Sequence, residues 1–100
     1  MDSRKQAYVH AEVGLSKQAI ELFEKTPTKS TADWLNLATL YRIVGDNQKT
    51  LGALKSGLSQ DPTNTALITA LIGELKKTGD KSELSKYELR LQDLEFKNFQ

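Results

Sequence analysis

The sequence contains no cysteine, which removes disulfide bridges, thiolate catalysis and cysteine-based zinc sites in one step. Its one histidine, His10, has no clustered carboxylates at ligand spacing, so neither a metal nor a cofactor is expected. Charge of a single sign is lacking too: 14 basic residues face 13 acidic ones, and the net charge names no partner. The basic pairs Arg4-Lys5 and Lys76-Lys77 are too sparse for a nucleic-acid footprint. No apolar run approaches the roughly 18 to 20 residues that cross a bilayer, and the opening MDSRKQAYVH lacks the apolar block of a signal peptide. The expectation is a soluble chain of the cytoplasm or periplasm, with no nucleic acid and no membrane insertion.

What is present is an ordinary globular composition, 38% apolar and 27% charged, in 100 residues. That length suits one domain with a modest core. Gly14, TPTKST (26–31), Gly45-Asp46-Asn47, DPTN (61–64) and Thr78-Gly79-Asp80 punctuate the chain. Between these breaks apolar residues recur at a helical period, and no segment alternates like a strand. Six helices are expected, at 3–13, 16–25, 31–44, 47–60, 64–78 and 81–98. Ser30 with Asp33, and Asp80 with Glu83, have capping-box spacing. Ser16, Ser30 and Ser82 stand near helix starts, where capping is expected rather than nucleophilic catalysis.

The helices repeat. Thr31-Ala32 recurs as Thr65-Ala66, Leu37 as Leu71 and Gly45-Asp46 as Gly79-Asp80, each displaced by 34 residues. The stripe Trp34, Leu37, Ala38, Tyr41 lies on one helical face and returns as Ile68, Leu71, Ile72, Leu75. Backwards, the displacement is 31: Gly45 maps to Gly14, Ala38 to Ala7 and Leu54 to Phe23, while Trp34, Leu37 and Tyr41 fall on Ser3, Gln6 and His10. The first repeat is degenerate in its first helix.

A period of 34 with Trp34, Leu37, Ala38 and Tyr41, then Thr50 and Leu54 four apart, then Pro62, resembles the tetratricopeptide (TPR) repeat. The resemblance implies an all-α right-handed solenoid of antiparallel helix pairs in one domain, residues 1–100. Its repeats are 1–29, 30–63 and 64–98, with the last helix extended as a cap. Ala38 would let the two backbones approach while Trp34, Leu37 and Tyr41 fill the core around it. In the third repeat Leu84 and Glu88 replace the expected small and aromatic residues, so its second helix departs from standard packing.

No catalytic constellation is visible, and an enzyme is not expected. GALKSGLS (52–59) has Leu58 where a phosphate-binding loop needs lysine, and it lies inside a helix. Surface remains. The resemblance implies that the first helix of each repeat lines a concave groove. In the second repeat that face carries Leu35, Asn36, Thr39, Arg42 and Ile43. The third contributes Thr69, Ala70, Gly73, Lys76 and Lys77, and the first Arg4, Lys5, Tyr8, Ala11 and Glu12. Such a groove is basic and suits a net acidic peptide or helix of another protein. The two-carboxylate clamp of the heat-shock co-chaperone TPR domains is not expected, since only Asn36 matches it; Arg4 and Tyr8, and Ala66 and Ala70, replace the rest. In the last helix, Leu84, Tyr87, Leu91 and Leu94 share the side expected to cover Ile68, Leu71 and Leu75. Leu89 and Phe96 point the other way, as a second contact that would serve self-association, a homodimer or a cap on a larger complex.

Overall fold

The computed structural model describes residues 3–12 and 14–98; Val13, expected in the first helix, lies outside them. Six helices and no strand occur among the described residues: α1 (Ser3–Glu12), α2 (Ser16–Lys25), α3 (Thr31–Ile43), α4 (Asn47–Gln60), α5 (Thr65–Thr78) and α6 (Lys81–Asn98). Within each pair the chain reverses through a glycine at positive φ: Gly14 at 80°, Gly45 at 85° and Gly79 at 79°. A side chain strains that left-handed conformation, which is why glycine marks the turn in all three repeats.

Helix starts follow from local chemistry. Ser30 and Asp33 form a reciprocal capping box, each side chain accepting from the other's backbone N–H. Asp46, Asn64 and Asp80 accept from the amides of Lys49, Leu67 and Glu83. Ser16 and Ser82 do not cap. Ser16 is the first residue of α2, whose N-cap position is held by Leu15 without a side-chain bond, and Ser82 lies inside α6.

Packing is sequential: α1 on α2, α3 on α4, α5 on α6, with α2 against α3 and α4 against α5 joining the pairs. The resulting stack is elongated, 44 × 30 × 21 Å, as expected of a repeat array rather than a bundle. Leu37, Ala38, Tyr41, Ala53 and Leu54 continue into Leu67, Ile68, Leu71 and Leu75 as one buried core. Tyr87 is buried in that core, and Leu84, Leu91 and Leu94 pack half-buried against it, so α6 covers the last hairpin as its apolar side requires.

Trp34 packs against the core, partly buried, with its indole Nε1 shielded from solvent and the Lys29 ammonium 5.3 Å from its ring centroid. Its equivalent Ile68 is fully buried. The close approach belongs to Gly57, which the repeat pattern had not singled out: a Cβ there would stand 3.0 Å from Leu67 Cδ1 and 3.2 Å from Trp34 Cβ. α3, α4 and α5 converge on that point. No helix among the described residues is long and apolar enough to cross a membrane.

Candidate partner-binding groove

The first helices of the three repeats bound two valleys, and their contents differ. In the valley between α1 and α3, Arg4 Nε donates to Asp33 Oδ2 at 2.8 Å and Arg4 Nη2 to the Thr28 carbonyl at 2.6 Å. The Tyr8 hydroxyl donates to Asp33 Oδ1 at 3.3 Å and accepts from Asn36 Nδ2 at 3.1 Å. The Tyr8 ring meets Phe23 edge-on at 5.2 Å. Asp33 is 1% exposed. Burial pushes its carboxyl upward, but the Ser30 amide and hydroxyl and the Arg4 guanidinium outweigh burial and hold it below its usual range. Burial, then the Asp33 charge, raises the Tyr8 hydroxyl.

This network changes the expected roles of Arg4, Tyr8 and Asn36. They were expected to line the partner groove; the structure joins them in hydrogen bonds that tie repeats together. A nearly inaccessible carboxylate requires donors, and these side chains supply them.

The valley between α3 and α5 carries different residues at the same register. Tyr8 and Asn36 of the first valley correspond to Thr39 and Ala70 of the second, by the displacements of 31 and 34. Both replacements are short. A pocket remains where the tie would be, with Leu35, Thr39 and Arg42 on one wall, Ala70 and Glu74 on the other, and α4 as its floor. Its free space is about 10 Å³, room for roughly one water-sized group.

Four sequence-predicted residues therefore meet here: Leu35, Thr39, Arg42 and Ala70. Ile43, Thr69, Gly73, Lys76 and Lys77 are exposed but do not line the pocket, and Lys5 is exposed on α1. The side chains of Ala11 and Glu12 lie outside the described ones. Leu89 and Phe96 are exposed on α6, 66% and 62%, as their orientation required.

Glu74 escaped the sequence reading. It is 2% exposed. Its Oε1 lies 3.4 Å from Lys77 Nζ, while its Oε2 is buried with no hydrogen-bond partner. The repeat held the signal: position 40 is a buried leucine, and its equivalent one repeat later is Glu74. A carboxylate where the register calls for leucine stands out.

Two crystal structures of MamA superpose on this architecture. One gives a TM-score of 0.85 at 16% identity over 96% of this chain and 58% of MamA; the other gives 0.79 at 16% identity over 93% and 52%. The fold is TPR-like. No protein-family model matches the sequence, and no curated protein does. The chain spans little more than half the length of the MamA chains.

Proposed function

We propose that the chain binds a peptide or helix of another protein along the face formed by α1, α3 and α5, and that it acts by binding rather than by catalysis. The observation that carries this reading is the open valley between α3 and α5. There the inter-repeat tie of the first valley is absent, and Leu35, Thr39, Arg42 and Ala70 border one pocket. The Leu35 side chain offers an apolar anchor, and apolar anchors carry most of the affinity in such contacts.

The partner segment is net acidic. Lys5, Arg42 and Lys76 are exposed and form none of the ion pairs found among the described residues, so three cations face solvent along the first helices. Arg4 no longer counts among them, since it serves Asp33. Charge mainly steers encounter, whereas buried apolar contact sets residence time. For a partner recovered by pull-down, Arg42→Glu with Lys76→Glu is expected to slow association and to weaken binding most at low salt. Leu35→Ala is expected to speed dissociation. Unchanged low-salt affinity in the double reversal would reject the groove as the site.

Assembly is the second reading, and exposed Leu89 and Phe96 on the capping helix favour it. A sedimentation mass that rises with concentration, and returns to the monomer when both residues are made serine, would support that reading over the groove.

A further inference from the structure

The geometry points to a specific occupant for the pocket between α3 and α5: the ammonium of a lysine side chain presented by the partner, bound to Glu74. This rests on the reading of the valley as the partner site and adds what enters it. Glu74 Oε2 is a buried acceptor with no donor. Leaving such an atom unpaired is costly, and the register shows that leucine occupies the equivalent place at position 40. Glu74 lines the pocket, so a donor seated there is the outside group placed to complete its carboxylate.

The pocket defines that donor. Room of this size suits a compact ammonium better than the planar, wider guanidinium of arginine. Leu35, Ala38, Leu54 and Ala70 supply apolar wall for the methylene stem of lysine, which buries readily while its head group finds charge. The charged groups facing the site are three. Glu74 attracts the ammonium, Lys77 is occupied with the other Glu74 oxygen, and Arg42 stands exposed on the opposite wall. Arg42 disfavours a bare cation but suits an acidic residue beside the inserted lysine. The recognised feature is thus a lysine flanked by acid, read by an acid and an arginine in the reverse sense.

The test uses the full chain and N-acetyl-lysine-N-methylamide as the probe, with the norleucine derivative, which has a stem but no ammonium, as control. Titration followed by amide proton–nitrogen NMR is expected to give saturable shifts at Leu35, Thr39, Ala70 and Glu74 with the lysine probe and none with norleucine. Glu74→Gln, close to isosteric, is expected to weaken that binding by about tenfold while its melting temperature is maintained or raised. The arginine derivative is expected to bind more weakly than lysine. Absence of saturable shifts with lysine, equal shifts with norleucine, or unchanged binding in Glu74→Gln would each overturn the proposal. A melting temperature lowered by Glu74→Gln would do so as well, by assigning the carboxylate a structural role. The comparison of Glu74→Gln with the parent keeps Arg42 and Lys76 in place on both sides, so it does not use the charge-reversal variants. A groove reading lost to the charge-reversal experiment and a lysine site lost here are separate failures.

Discussion

A chain ending at residue 80 is expected to lose its third hairpin. Truncation removes α6 and with it Tyr87, buried in the core, and the half-buried Leu84, Leu91 and Leu94. Full burial of four such side chains is worth roughly 6 to 12 kcal/mol gross, and the partial cover of three of them puts this case near the lower end. Ile68, Leu71, Ile72 and Leu75 are buried on α5, the helix that packs against α6. Against a net stability of about 5 to 15 kcal/mol for a domain of this kind, that loss is decisive. Far-UV circular dichroism should therefore fall by the signal of α5, 14 residues, as well as that of α6, 18 residues. A cooperative melt with helicity reduced by the α6 share alone would show that α6 does not hold the repeat.

Asp33→Ala should be the most damaging single substitution outside the apolar core. Asp33 closes the capping box of α3 and accepts from both Arg4 and Tyr8, so it fixes a helix start and joins two repeats at once. Loss of a cap costs about 1 kcal/mol, and loss of charge-assisted hydrogen bonds about 1.5 to 3 kcal/mol more. Arg4 is 37% exposed and rehydrates when freed, so it adds little to the penalty. A total of about 2 to 4 kcal/mol is expected as a lowered urea midpoint. Asp33→Asn keeps a cap acceptor and should lose less.

The same residue sets an acid limit. Its carboxyl is held below the unfolded value of about 4, so the native state binds its proton less readily than the unfolded chain does. The stabilisation is full above that unfolded value and disappears as the pH falls through the lower folded value. Urea midpoints measured from pH 6 downward should drop over this acid range in the parent and drop less in Asp33→Asn.

Much of the architecture was legible before any tertiary contact was known. Gly14, Gly45 and Gly79 fixed the hairpin turns because their backbone conformation excludes other residues, and Ser30 with Asp33 fixed the start of α3 to the residue. α3 ends one residue earlier than expected and α5 begins one later. These are short-range effects: a cap or a helical period involves residues within a turn or two of each other, and a linear sequence displays them directly. The repeat then followed from comparing the chain with itself.

The valleys were not legible in that way, because each depends on pairs of side chains from different repeats. Arg4 and Asp33 are 29 positions apart, Tyr8 and Asn36 28, and nothing local to either says that a buried carboxylate will claim both Arg4 and Tyr8. Trp34 matches the repeat motif by identity, yet Gly57 and Leu67 decide how closely α3, α4 and α5 approach around it. Glu74 was one register comparison away from notice, but its significance lies in an unpartnered oxygen that only packing can create. By itself the sequence determined six helices, three glycine turns and a TPR-like stack, since local backbone chemistry and periodicity suffice for those. The tertiary structure decided which polar side chains are spent holding repeats together and which are left facing an open pocket, because desolvation and hydrogen-bond pairing are set by neighbours distant in the chain.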